Sequence, residues 1–158
     1  MNKLSKSAQS IQDILSSKGI ALKVVELPER TGTAQEAATA IGCTISQIVK
    51  SLIFKTKDTN EPILVLASGP NRVNEKFIEN QLNQKIVKAD ADFTREVTGF
   101  AIGGIPPIGH KQHITTFIDE DLLTLPELWA AAGTPNAVFM LTPKDLQTLT
   151  NGTVIAIK

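Results

Sequence analysis

The chain contains no tyrosine, one tryptophan, one cysteine and two histidines in 158 residues. Each shortage excludes something. With Cys43 alone there is neither an internal disulfide nor a cysteine metal cluster, a usage that fits a reducing compartment. His110 and His113 have no third ligand at a matching spacing, so no metal site is expected. Six phenylalanines and one tryptophan cannot build the broad stacking platform of single-strand binders, which confines any nucleotide contact to a pocket. Charge of one sign is also missing: Lys plus Arg and Asp plus Glu both number 16, so no net field draws the chain onto nucleic acid or anionic lipid. No uncharged run approaches the ~20 residues that cross a bilayer, and the polar N-terminus has no apolar stretch of signal-peptide length. A cytoplasmic protein without a membrane partner is expected.

What is present is the composition of a packed domain: 42% hydrophobic, 20% charged, 10 glycines and 8 prolines. At this length one domain buries about two-thirds of its unfolded surface, and a single domain over residues 1–158 is expected. Ala8, Ile11, Ile14 and Leu15 recur at helical spacing over 7–18, before Lys18-Gly19. ALKVVEL, 21–27, reads as a strand ended by Pro28. Thr33 with Glu36, and Thr44 with Gln47, carry the capping-box spacing and predict two short helices around Gly42. Residues 49–56 and 62–68 alternate or run apolar as a β-hairpin, and 71–82 has a helical apolar stripe. KIVKA predicts a strand, 90–97 a helix capped by Asp90, HITTFID a strand, PELWAAAG a helix and NAVFML a strand. Thr142-Pro143-Lys144-Asp145 starts a last helix that stops at Asn151-Gly152 before a closing TVIAI strand. Short strands with irregularly interspersed helices favour an α+β domain whose curved, mostly antiparallel sheet is flanked by helices; a doubly wound parallel sheet is the alternative.

Two stretches attract chemistry. In the alternation of 49–56, Lys50 shares a face with Leu52 and Phe54, which points an ammonium at an apolar interior or cleft, where it must be paired, lose basicity or meet an anion. The same pattern allows Lys50 to be an exposed residue just before the strand. The second stretch is Gly103-Gly104-Ile105-Pro106-Pro107-Ile108-Gly109, where paired glycines bare the backbone N–H groups and prolines stiffen the exit. Such a loop can hold a carbonyl oxygen, each donor being worth roughly 10²–10³ in rate in acyl-transfer enzymes, or it can be a plain bulged turn. It is neither a phosphate-binding loop nor a dinucleotide fingerprint. His110 ends the loop as a hydrogen-bond donor, a general base or a structural residue; Cys43 reads as a small buried residue. Ser51 and Lys50 point to opposite faces, which disfavours a serine–lysine dyad.

Read together, Thr33-Ala-Gln-Glu36-Ala37-Ala38 with Gly42, Gln47-Ile48-Val49-Lys50-Ser51-Leu52, Thr98-Gly99-Phe100 through Gly109, Ala132-Gly133, and Leu141-Thr142-Pro143-Lys144-Asp145-Leu146 resemble the YbaK-like, prolyl-tRNA-editing family of aminoacyl-tRNA deacylases. The match in order and spacing covers nearly the whole chain. The resemblance implies a hydrolase without cofactor or metal that acts in trans on the ester of mischarged tRNA. Its implied partners are the acceptor end of aminoacyl-tRNA and prolyl-tRNA synthetase. Lys50 stands at the family's active-site lysine, holding the phosphate or hydroxyl region of the terminal adenosine. Gly103 and Gly104 are implied to bind the ester carbonyl or the amino-acid end through their backbone, with water or a substrate ribose hydroxyl as nucleophile.

The resemblance also places Ser51, Ile105 and Pro106 against substrate, together with Gly109, His110, Ala132 and Gly133. Relatives that act on cysteinyl-tRNA commonly read Ser-Gly-Gly where this chain has Ala131-Ala132-Gly133, often carry Thr at position 51, and some have Gln at 110. The amino acid removed is therefore left open, a small one fitting a compact apolar pocket. Neutral overall charge implies few phosphate contacts and a shallow salt dependence of tRNA binding. Two other readings compete: a non-catalytic module that docks a tRNA end or a synthetase, and an enzyme that uses Lys50 as a Schiff-base amine.

Overall fold

The computed structural model describes residues 4–158, so the first three residues of the expected 1–158 domain lie outside the described residues. Helix α1 (Lys6–Ser17) starts at Ser5, whose hydroxyl accepts from the Ala8 N–H, and buries Ala8, Ile11 and Leu15. Strand β1 (Val24–Glu26) is shorter than expected because the Gln12 carboxamide takes up the Leu22 carbonyl and the Val24 N–H. Helix α2 (Ala34–Ile41) carries the Thr33–Glu36 capping box and stops at left-handed Gly42. The second box, Thr44 with Gln47, starts only one 3₁₀ turn, Ile45–Gln47, before β2 (Ile48–Thr56) begins.

Strand β3 (Pro62–Ser68) completes the hairpin, in register from Val49 opposite Ser68 to Lys55 opposite Pro62. Helix α3 (Glu75–Leu82) is capped by Asn74 and starts four residues later than its apolar stripe predicts, because Asn71 bonds elsewhere. β4 (Ile86–Lys88) and α4 (Ala91–Thr98), capped by Asp90, follow as expected. Strand β5 (Thr115–Asp119) begins two residues after His113, which is exposed.

One element differs in kind: β6 (Leu128–Ala131) is a strand where PELWAAAG predicts a helix. Alanine favours a helix locally, but this segment has a strand on each side, β7 (Ala137–Leu141) antiparallel and the start of β2 parallel, and it buries Leu128 and Ala130 alternately. Helix α5 (Pro143–Thr150), with its Thr142–Asp145 box, and β8 (Thr153–Ile155) end the chain.

The strands form one mixed sheet in the order β1-β7-β6-β2-β3-β5-β8, with β4 also paired to β2. Four ladders are antiparallel, including the long β2–β3 hairpin, and three are parallel. Helices cover both faces. On one, Ile11 and Leu15 of α1, Val97 of α4 and Leu146 of α5 pack with Val49, Ile53, Leu64 and Leu66. On the other, Ile78 of α3 packs on Phe54, Ile63 and Val65, while Ala37 and Ala38 of α2 pack on Ile48.

β2 positions the site. Its β3 edge is paired throughout, whereas its other edge meets β6 only at Ile48 and Val49 and β4 only from Phe54 to Thr56, with one further bond from the Ala89 N–H to the Ile53 carbonyl. Ile53 therefore turns its backbone groups to that edge, and alternation turns those of Ser51 the same way, into a stretch that no strand covers.

Candidate functional site

A cleft occupies this gap in two lobes that share Lys50, Ser51, Leu52, Ile102 and Ile105. The smaller lobe, about 260 Å³, is walled by the Thr31–Ala34 segment and Ala37 of α2, by Ile48, Trp129, Ala130 and Ala131, and by Gly103. The larger, about 570 Å³, runs toward Asn71, Arg72, Glu75 and Lys88. Its rim carries Ile102, which is 61% exposed despite its apolar side chain.

Lys50 is the third residue of β2, opposite Ala67, so it is not a residue preceding the strand. It lies on the face that carries Ile48 and Phe54, in the space between α2 and α3. Its Nζ donates to the Asn71 carbonyl at 2.7 Å. Partial burial, then the neighbouring Arg72 cation, lower its pKa below the ordinary lysine value, with Asp119 opposing them.

The carbonyl that holds this amine is itself held. Asp119, 1% exposed, accepts from the Ser68 N–H at 3.0 Å and the Asn71 carboxamide at 2.7 Å through Oδ2, and from the Asp121 N–H at 2.9 Å through Oδ1. The Asn71 carboxamide also reaches Asp121 Oδ2 at 2.8 Å. The buried carboxylate is thus saturated with donors, as a charge in a low-dielectric interior must be, and the 68–71 turn is fastened to the end of β5.

The residues expected at the site divide. Lys50, Ser51, Gly103 and Ile105 line the cleft. Ser51 adds a hydroxyl that is buried with no hydrogen-bond partner among the described residues. Gly103, in the positive-φ region, has no acceptor paired with its N–H among the described residues. Gly104 sits behind it: its N–H donates to the Ala101 carbonyl, its carbonyl accepts from Gly133, and a Cβ there would meet the Thr134 backbone at 2.9 Å. The expectation that both glycines offer backbone donors is corrected to Gly103 alone.

Pro106, Gly109, His110, Ala132 and Gly133 do not line the cleft. Gly109 lets the loop lie against Ile11 and Ile14 of α1. His110 bonds the Pro106 carbonyl through Nε2 at 2.7 Å, and burial lowers its pKa despite that bond, so the ring is neutral near pH 7 and Nε2 carries the proton. Ala132 is fully buried and Gly133 fits between Phe100 and Ser7. With Thr134 to Asn136 they form a hub: Pro135 accepts from the Thr31 hydroxyl, Asn136 bonds Leu27 and Glu29, and Gly133 holds Gly104. They position the walls from behind.

Sequence reasoning did not single out Thr31, Asn71, Arg72, Ile102, Trp129 or Asp119. For Asn71 and Arg72 a signal existed in Ser68-Gly69-Pro70-Asn71-Arg72, a turn composition at the exit of an apolar strand. The rest are ordinary residues that become cleft residues only through pairing of distant strands.

Among the described residues no three His, Cys, Asp or Glu side chains converge as metal ligands, and no helix is long and apolar enough to cross a membrane. Residues 28–149 match the family model of the aminoacyl-tRNA editing domain. The chain belongs to this editing-domain family, of YbaK type. A solved structure described as a candidate trans-editing enzyme for prolyl-tRNA synthetase aligns over 99% of both chains at 46% identity, with a TM-score of 0.92. YwhH of Bacillus subtilis, an uncharacterized protein, is 30% identical over 123 residues, 78% of each chain. The proline–tRNA ligase of Limosilactobacillus fermentum is 34% identical over 94 residues, which are 57% of this chain and 16% of the ligase. The editing domain's solved relative shares the mixed architecture, helices on both faces of one sheet, described above.

Proposed function

We propose that this editing domain is a trans-acting aminoacyl-tRNA deacylase whose two-lobed cleft receives the esterified 3′ end of a mischarged tRNA. One observation carries the reading: a tethered lysine of lowered pKa stands where a compact apolar lobe meets a polar one, beside an uncovered strand edge and a glycine turn. The smaller lobe accommodates a small amino acid. Lys50 binds the nucleotide side of the ester, and the Gly103 N–H stabilises the carbonyl oxygen as negative charge develops on it.

Water supplies the nucleophile. Its oxygen adds to the ester carbonyl, the bond from the acyl carbon to the ribose oxygen breaks, and the ribose oxygen takes the proton, releasing amino acid and uncharged tRNA. No covalent enzyme intermediate is required; positioning and backbone electrostatics supply the acceleration. The reading includes a cytoplasmic protein folded as a single domain, with prolyl-tRNA synthetase as a partner whose products it clears. Support for that partner is the similarity to a proline–tRNA ligase and to the candidate trans-editing structure.

The test is a panel of aminoacyl-tRNAs incubated with the wild type and with Lys50→Ala. Wild-type release of one or a few small amino acids, reduced about 10²–10³-fold in the variant, is the expected result. Equal release by both proteins removes Lys50 from the mechanism, and tight binding without release assigns a docking module instead.

A further inference from the structure

The larger lobe is not needed to hold a small amino acid, and its chemistry differs from that of its neighbour. Three cations line it: Lys50 of β2, Arg72 before α3 and Lys88 at the end of β4. Arg72 and Lys88 are exposed at its rim. None of the three has a carboxylate within ion-pair distance, the one ion pair among the described residues being Lys158 with Asp121. Glu75 is the single acidic side chain in the lining. Burial and then the Arg72 charge depress the basicity of Lys50, with buried Asp119 opposing them, whereas Arg72 and Lys88 stand exposed in the same lining with no carboxylate at ion-pair distance and are open to an anion.

We infer that Arg72 and Lys88 form a phosphodiester subsite, which binds the backbone of the last nucleotides of the substrate RNA and so orients the ester with its amino acid in the smaller lobe. The inference deepens the deacylase reading and rests on it for the identity of the substrate. The guanidinium offers a planar fork that suits a phosphate, and Lys88 adds a point charge to the same lining. The shared wall of Lys50, Ser51 and Ile102 then marks where the nucleotide ends and the acyl group begins.

The test uses the whole chain and two readouts. In the first, fluorescence anisotropy follows an uncharged RNA hairpin with a single-stranded 3′ tail over a range of salt concentrations. Arg72→Ala with Lys88→Ala should weaken binding about tenfold or more at low salt and flatten the slope of log affinity against log salt by about 0.7 for each lost contact. Lys144→Ala, which removes an exposed cation from α5 far along the chain, should change neither. In the second, deacylation of the aminoacylated hairpin is compared with that of an aminoacylated adenosine, which has no phosphate. The double variant should lose kcat/KM on the hairpin and keep that on the nucleoside within about twofold. An unaltered salt slope overturns the subsite, as does a loss of equal size in Lys144→Ala or on both substrates. If no protein cleaves either ester, the deacylase reading fails while the anisotropy still decides whether the lobe binds phosphates.

Discussion

Two loops border the cleft and are held by opposite means. The 68–71 turn is fastened by charge: a buried carboxylate, Asp119, collects the Ser68 and Asn71 donors, and the Asn71 carbonyl in turn holds the Lys50 amine. The 99–110 loop is fastened by shape: Gly104 lies on the Thr134 backbone, Gly109 on α1, and Ile105 and Ile108 are buried in the larger core. Polar fastening sets a direction, because hydrogen bonds to a carboxylate tolerate little misalignment. Apolar fastening sets a distance. An amine must be aimed, whereas a bare backbone need only be brought close, so each loop has the support its task demands.

Breaking the polar fastening should have the largest effect. Asp119→Ala leaves the Ser68 and Asp121 N–H groups without their acceptor and the Asn71 carboxamide with Asp121 Oδ2 alone. A loss of about 3 kcal/mol in a denaturant titration is expected, with deacylation reduced alongside. Asp119→Asn keeps the shape but replaces one acceptor oxygen by a donor, so partial recovery of stability without full recovery of kcat separates aiming from folding. Stability unchanged in Asp119→Ala would show that the turn does not depend on this carboxylate.

Gly69→Ala and Gly103→Ala compare the two loops directly. A Cβ at Gly69 runs into the Ile45 carbonyl oxygen, so this substitution must move backbone and should cost about 1–3 kcal/mol. At Gly103 there is room, the nearest atom being Gly32 Cα at 3.5 Å, and the penalty is the positive φ of 97°. About 1–2 kcal/mol is expected there, with a fall in kcat larger than the fall in stability because this turn faces the cleft. Thermal melts and steady-state rates on both variants check the ordering.

A smaller effect belongs to His110. Burial keeps its folded-state pKa below the ordinary 6.5, so the unfolded chain binds the proton more readily. The stabilisation is complete above about pH 6.5 and declines as the pH falls below it toward the folded-state value. His110→Gln should flatten stability between pH 7 and 5 while leaving rates at pH 7.5 nearly unchanged, because the ring lies outside the cleft. A matching acid limb in the rate of the wild type that the variant lacks would return His110 to the chemistry.

Much of this was legible residue by residue. The capping box at Thr33, the hydroxyl cap at Thr142, the hairpin of 49–56 with 62–68, and the face assigned to Lys50 are local patterns, and local patterns are carried by nearest neighbours along the chain. Legibility failed where a partner is remote. Leu128–Ala131 has helical propensity and is a strand because β2 and β7 lie beside it. Gly104 and Gly133 look like a pair of substrate contacts and are bonded to each other instead. Asn71 and Asp119, 48 positions apart, carry no mutual signal at all.

What this chain determined by its order of residues is most of its elements and the chemical kinds available: a lysine on the apolar face of a strand, a bare glycine turn, a neutral charge balance. Tertiary structure alone decided which of them meet, because the cleft is an interruption in strand pairing, and an interruption exists only once β4 and β6 have both docked on the same edge of β2 and left Ser51 uncovered between them.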